Sequence, residues 1–135
     1  MLKQFVEAWE KGKDGLLADL QRLCANNNDS QITYEALVRL GWGKVGGEFK
    51  HTHIDLGKLR CIDDGDYQGT LIFIAPFDTY EPSGDEYVYV VIDYGSCSGC
   101  DTLLSLQSND NPEVRAHDYL ELILHIMQKT KILGE

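Results

Sequence analysis

The chain has 135 residues, 43% of them hydrophobic and 25% charged, with a net charge of −10 at pH 7. This length predicts one domain, residues 1–135, that is large enough for its own core. The acidic balance argues against direct binding to nucleic acid, and no apolar run approaches the ~20 residues of a membrane span. Because the N-terminal residues do not resemble a signal peptide, we expect a cytoplasmic protein with reduced thiols.

Negative charge is concentrated in one stretch of the sequence. Residues 1–62 have a net charge of +1, whereas residues 63–121 hold thirteen acidic residues and Arg115 as their one basic residue. Such a stretch is compatible with a basic protein partner, a cation or mimicry of nucleic acid, and equally with a solubilising surface. The candidate binding residues are Asp85, Glu86, Tyr94 and Asp101.

The N-terminal third is predicted to be helical. Apolar residues recur at helical spacing in residues 2–10 and again in residues 16–24, with Gly12 and Gly15 as interruptions. Cys24 falls on the apolar face and is predicted to be a buried thiol. A further short helix over residues 30–40 would begin at Ser30 or Thr33 and stop at Gly41.

Three β segments follow. Residues 50–62 alternate as a half-buried strand does, residues 63–66 read as a turn, and residues 70–75 and 86–94 are apolar strands. Short links between them predict an antiparallel meander. His51 and His53 share one side of the first strand, where they are either a metal pair with Asp55 or ordinary exposed polar residues.

A Cys-x-x-Cys motif, Cys97 to Cys100, follows the strand 86–94 and precedes an apolar segment. Its two thiols are open to three interpretations: half of a zinc site, a redox dithiol, or small residues in a tight turn. A zinc site would need two more ligands, for which Cys61 and His53 are the candidates. Zinc is therefore the one cofactor that the sequence suggests.

The C-terminal segment predicts a long helix from Pro112 to Leu133, with Asn111 as its cap. Apolar residues cover more than half of its girth, so we expect it to be deeply packed. The remaining stripe, His117, Glu121 and His125, is either a metal-binding face or a solvated one.

The run from Gly65 to Leu103, GDYQGTLIFIAPFDTYEPSGDEYVYVVIDYGSCSGCDTL, resembles a family of small uncharacterised bacteriophage and prophage proteins. The likeness rests on the Gly-x-Tyr-Gln-Gly strand start, the acidic Thr-Tyr-x-Pro loop and the segment Tyr-Gly-Ser-Cys-Ser-Gly-Cys-Asp-Thr-Leu. It implies a phage-related origin and no established activity.

The sequence as a whole predicts an α+β fold: N-terminal helices, a small antiparallel meander and a long C-terminal helix packed on the sheet. The predicted function is a non-enzymatic phage accessory protein that binds and modulates a host protein, in host takeover or defence evasion. That partner would be a basic or nucleic-acid-binding protein. The alternative is a zinc- or dithiol-dependent enzyme centred on Cys97 and Cys100.

Overall fold

The computed structural model describes residues 2–26, 32–45, 54–65, 69–77, 87–94, 102–107 and 109–132. Within these ranges the chain forms, in order, α1 (Leu2–Ala25), α2 (Tyr34–Val45), a 3₁₀ turn (Leu56–Lys58), β1 (Arg60–Gly65), β2 (Gly69–Pro76), β3 (Tyr87–Tyr94), α3 (Thr102–Gln107), α4 (Pro112–Lys129) and β4 (Lys131–Ile132). This is the predicted α+β arrangement of N-terminal helices, an antiparallel sheet and a C-terminal helix.

The sheet of the described residues has the strand order β1-β2-β3-β4, and each neighbouring pair is antiparallel. The predicted meander is therefore confirmed for β1, β2 and β3. Pro76 ends β2, as expected of a residue without a backbone N–H. The fourth short strand lies in a segment that was predicted to be helical, and it pairs with the start of β3 at Val88 and Tyr89.

The two faces of the sheet differ sharply in burial. Successive strand residues point to opposite sides, so directly paired residues share a face. We call the buried side the inner face; its buried members on β2 and β3 are Phe73, Ala75, Val88, Val90 and Ile92. The opposite side is the outer face, on which Val91 remains 42% exposed.

Helix α1 corrects the prediction that glycines divide the N-terminal segment. It runs without a break through Gly12 and Gly15 to Ala25. Each glycine costs a helix about 0.5–1 kcal/mol relative to alanine. The fully buried side chains of Leu16, Leu20 and Cys24, spaced by four, offset that cost by packing into the core.

Helix α2 begins after Thr33, one of its two predicted caps, and ends later than predicted. Thr33 caps it, because its Oγ1 accepts a hydrogen bond from the Ala36 N–H at 3.2 Å. Gly41 does not stop the helix, which continues to Val45. Gly41 is instead a point of close approach: a Cβ placed there would lie 2.6 Å from Cε of Met127. The neighbouring Trp42 is 1% exposed.

The first strand also differs from its prediction. Residues 56–58 form a 3₁₀ turn, in which the Asp55 side chain accepts from the Gly57 N–H at 3.1 Å. Strand β1 therefore starts only at Arg60, and it includes Asp63, Asp64 and Gly65, which were predicted to be a turn. Every residue of β1 is exposed, so backbone pairing with β2 rather than burial defines this strand.

Helix α4 starts as predicted. The Asn111 side chain accepts from the N–H groups of Glu113 and Val114, and Pro112 occupies the first turn. The helix ends at Lys129 rather than Leu133, because Thr130 turns the backbone into an extended conformation and leads into β4. Its apolar residues pack against α1 and α2 as well as β3.

Candidate functional site

A cleft of about 590 Å³ lies between the inner side of β1 and β2 and the start of α2. Its apolar walls come from three separate parts of the chain: Ile32, Leu71, Phe73 and Leu103. Its polar residues are Thr33, Glu35, Asp63 and Tyr94, with the thiol of Cys61 beside them. Clefts of this size with mainly apolar walls and a few polar groups are the usual form of a binding site.

Strand register places the β1 residues at this cleft. Cys61 pairs with Phe73, and Asp63 pairs with Leu71, so all four point to the inner face. The sheet edge is not covered by a further strand there within the described residues, because β1 is the edge strand. Side chains that would otherwise be buried against the core thus border an open cleft.

The opposite wall is held by contacts between α3 and the segment that leads into α2. The Leu103 N–H donates to the Tyr34 hydroxyl at 3.1 Å, and Nε2 of Gln107 donates to the Ile32 carbonyl at 3.2 Å. Tyr34 is 6% exposed, so its hydroxyl contact lies in the interior. The two hydrogen bonds fix α3 against the cleft although it is only six residues long.

The charged groups of the cleft are acidic and partly neutralised. The Tyr94 hydroxyl donates to Oδ1 of Asp63 at 2.5 Å, which orients that carboxylate at the rim. Glu35 accepts from Nε of Arg39 at 3.4 Å, while Nη1 of Arg39 also donates to the Leu56 carbonyl. Exposed pairs of this kind are weak, so both carboxylates remain available to a cationic ligand.

The pKa of the Cys61 thiol is affected by the acidic residues of this cleft. Although the residue is classed as exposed, partial desolvation of its thiol raises the pKa of Cys61, and the negative charges of Glu35 and Asp63 raise it further. A raised pKa keeps the group a neutral thiol at pH 7 and lowers its reactivity as a nucleophile. The thiol therefore contributes a small, weakly polar surface rather than an activated nucleophile.

The structure brings together two of the residues singled out from the sequence, Tyr94 and Cys61. Of the other candidates, the binding residues Asp85, Glu86 and Asp101 lie outside the described residues, and so do the proposed metal ligands His53, Cys97 and Cys100. The zinc and redox interpretations of the Cys-x-x-Cys motif therefore stay predictions. Within the described ranges, no three His, Cys, Asp or Glu side chains are placed to share a metal ion.

The polar stripe of α4 faces solvent. His117, Glu121 and His125 are all exposed, and Glu121 and His125 border a shallower cavity of about 400 Å³ next to α3. Residues four apart on a helix point the same way, but these two histidines and one carboxylate are not placed to share a metal ion. The solvated interpretation of this stripe fits the observed exposure.

Asp63, Glu35 and Leu71 are cleft residues that the sequence did not single out. Asp63 was assigned to a turn, and Glu35 is an ordinary exposed position in the first turn of α2. One feature of the sequence could have indicated part of this cleft. Residues two apart in a strand point to the same face, so Cys61 lies on one face with Asp63, and Leu71 on one face with Phe73. Pairing those faces required the register between β1 and β2.

Comparison of the chain with models of protein families, with curated proteins and with solved structures finds no match. None of the helices in the described ranges has the length and apolar character needed to cross a membrane. The fold and the cleft together describe an α+β protein with a cleft at the edge of its sheet, which has apolar walls and acidic residues at its rim.

Proposed function

We propose that the protein is a non-enzymatic binding protein whose cleft takes a basic segment of another protein. The observation that carries the proposal is the composition of the cleft, in which Asp63 and Glu35 border walls formed by Ile32, Leu71, Phe73 and Leu103. An apolar side chain of the partner would fill the cleft, and neighbouring lysines or arginines would meet the two carboxylates. Such complementarity speeds association and selects the partner.

The charge distribution of the chain supports the same partner. Arg115 is the one basic residue in positions 63–121, and it is 7% exposed. Its Nη1 donates to the Asn109 carbonyl at 2.8 Å, and its Nη2 lies 3.5 Å from the Cys24 carbonyl. The guanidinium is thus turned towards backbone oxygens, and the acidic residues of this stretch keep their full effect on an approaching basic protein.

The likeness to bacteriophage and prophage proteins extends the proposal. On that reading, the partner is a protein of the infected host, and binding modulates it during host takeover or defence evasion. A basic or nucleic-acid-binding host protein would carry the kind of segment that fits the cleft.

Peptide binding tests this function directly. Fluorescently labelled peptides with several lysines around a central leucine should bind, and their affinity should fall as salt is added, because exposed charges are screened. Glu35→Gln and Asp63→Asn should each weaken binding roughly two- to fivefold. Glu121→Gln removes an equal charge on α4 and is the matched control, which should leave the affinity unchanged.

Two results would contradict the proposal. One is a set of basic peptides that bind no better than versions with glutamine in place of lysine. The other is stoichiometric zinc in protein purified without added metal, which would favour the zinc-dependent alternative centred on Cys97 and Cys100. Elemental analysis of the same preparation used for the peptide titration makes the comparison direct.

A further inference from the structure

The outer face of the sheet carries an exposed apolar centre. Ile62, Ile72 and Val91 are paired across β1, β2 and β3, so they form one row on this face. Ile62 is 55% exposed and Val91 is 42% exposed, which are high values for large apolar side chains. Adjacent apolar residues left open in this way commonly mark an interaction surface.

Charged rows flank this central row on both sides. One neighbouring row contains Asp64, Thr70 and Asp93; the other contains Arg60, Ile74, Tyr89 and Lys131. We call these the acidic row and the basic row. Each is two residues from the centre, so about 7 Å separates it from the central row.

The four charged groups are not paired with one another. Asp93 accepts a hydrogen bond from Thr70 at 3.2 Å, but the ion pairs found among the described residues involve neither row. All four side chains belong to exposed residues. The outer face therefore offers opposite charges at equal distances on either side of an apolar centre.

We propose that a second copy of this chain packs on the outer face, related by a two-fold axis that runs along the central row, perpendicular to the strands. Such an axis reverses the strand direction. It lays the acidic row of each copy on the basic row of the other. Asp64 then faces Arg60 of the second copy, and Asp93 faces its Tyr89, with Lys131 of that copy on the neighbouring strand. The central rows then meet each other, since they lie on the axis.

Charge complementarity selects this arrangement over the other face-to-face pairing. A two-fold axis parallel to the strands would place the acidic row on an acidic row and the basic row on a basic row, and like charges in contact disfavour association. Two sheets packed face to face also keep their strands within about 30° of each other, which preserves these row contacts. The surface is thus complementary to itself in one orientation.

The size of the face predicts a weak dimer. Strands about 4.8 Å apart and residue pairs about 7 Å apart give the three rows an area on the order of 300–400 Å² per copy. A stable interface usually buries about 800 Å² per partner. We therefore expect a weak, reversible dimer that forms only at high protein concentration. This inference does not rest on the proposed function, because the cleft lies on the inner side of the sheet.

Sedimentation velocity of the full chain over a wide series of concentrations, up to the highest at which it stays in solution, measures the association. Val91→Asp should weaken it at least tenfold, because a carboxylate would be buried at the centre of the interface. Val114→Asp is the matched control: Val114 is 39% exposed on α4, away from the sheet, and its replacement should leave dimerisation unchanged. Circular dichroism confirms that each variant is folded.

A charge exchange gives a second, independent measurement. Asp64→Lys with Asp93→Lys should weaken the dimer at least tenfold, although the two changes reduce the net negative charge that opposes association. Adding Arg60→Asp and Lys131→Asp to that variant should restore the dimer, since the two rows have then exchanged signs. These four positions are exposed, so the variants are expected to fold.

Specific outcomes would overturn the proposal. A monomer throughout the concentration range would do so, as would an exchanged variant that fails to regain the dimer. A dimer that ignores both Val91→Asp and the Asp93→Lys change would show pairing elsewhere, such as edge to edge through β1, because β3 is not the strand at that edge.

Discussion

Trp42 and Thr130 are joined by a buried hydrogen bond across the helical layer: Nε1 of the indole donates to Oγ1 of Thr130 at 3.1 Å. The same hydroxyl donates to the Ile126 carbonyl at 2.9 Å, so it serves as acceptor and donor at once. Trp42 is 1% exposed and Thr130 is 5% exposed. One hydroxyl thus ties α2 to the end of α4 and satisfies a polar atom that water does not reach.

Replacing that hydroxyl should be costly. Thr130→Val keeps the shape of the side chain and leaves the indole N–H without its acceptor, so we expect a loss of about 1–3 kcal/mol in the free energy of unfolding. Thr130→Ser keeps the hydroxyl and serves as the control, with a smaller loss from the missing methyl. Urea denaturation of both variants measures the difference, and equal losses would show that the hydrogen bond contributes little.

Arg115 should be a second point of high sensitivity. Its guanidinium donates to backbone carbonyls at the end of α1 and just before α4, where a positive charge also complements the C-terminal dipole of α1. Arg115→Met should cost roughly 1.5–3 kcal/mol, because the hydrogen bonds from a charged, buried side chain to two backbone carbonyls are lost. Thermal or chemical unfolding measures this loss.

The control for Arg115 is Arg22→Met. Arg22 is exposed and forms an ion pair with Asp19 one turn earlier in α1. Surface pairs contribute less than about 1 kcal/mol, so this change should have little effect. A similar loss at both arginines would contradict the role assigned to the buried guanidinium.

Two glycines of α2 should respond in opposite directions to the same substitution. A Cβ at Gly41 would approach Cε of Met127 to 2.6 Å and Cγ2 of Ile123 to 3.0 Å, whereas one at Gly43 would meet its nearest atom, on Leu56, at 3.6 Å. Overpacking costs about 1–3 kcal/mol, which exceeds the ~1 kcal/mol that alanine gains in a helix.

Gly41→Ala should therefore destabilise the protein, and Gly43→Ala should stabilise it by about 0.5–1 kcal/mol. The denaturation midpoints of the two variants, each compared with that of the unchanged protein, measure these effects. If both alanines stabilised the fold, Met127 and Ile123 would have more freedom to move aside than their burial indicates.

The thiol of Cys61 should be slow to alkylate at neutral pH. Desolvation and the charges of Glu35 and Asp63 raise its pKa above the ordinary value of 9.0, so the reactive thiolate fraction increases only at higher pH. Mass spectrometry of the Cys61 peptide after timed alkylation across a pH series gives the pKa of this residue alone.

Removing the neighbouring charges should reverse part of this effect. Glu35→Gln and Asp63→Asn should each lower the pKa of Cys61 and speed its alkylation at pH 8, while Glu121→Gln should leave the rate as it was. A Cys61 titration below the ordinary thiol value would contradict the electrostatic description of the cleft.

The fold class could be predicted from hydrophobic periodicity because α4, β2 and β3 are strongly patterned. The predicted helix breaks at Gly12, Gly15 and Gly41 are wrong. The prediction relied on the low helix propensity of glycine, which is a local property of the sequence. Burial of Leu16 and Leu20 overrides the first two. At Gly41 the missing side chain is what lets Met127 approach, and a contact 86 residues away in sequence leaves no local pattern.

The cleft was less accessible to sequence reasoning than the fold. Tyr94 and Cys61 were singled out for other reasons, and nothing in their own segments predicts that they line one cavity. They meet because of the register between β1 and β2, which pairs Cys61 with Phe73 and Asp63 with Leu71. Residues 56–58 alternate like a strand but form a 3₁₀ turn, so the sequence pattern placed the start of the first strand too early.

The distance along the chain between Trp42 and Thr130 has a consequence during synthesis. At about 5–20 residues per second, a ribosome needs roughly 4–18 s to add the 88 residues that separate donor from acceptor. Throughout that time α1 and α2 exist without the helix that covers their apolar surfaces. Apolar side chains of the N-terminal region therefore stay exposed for seconds, and transient exposure of this kind favours aggregation until α4 has been made.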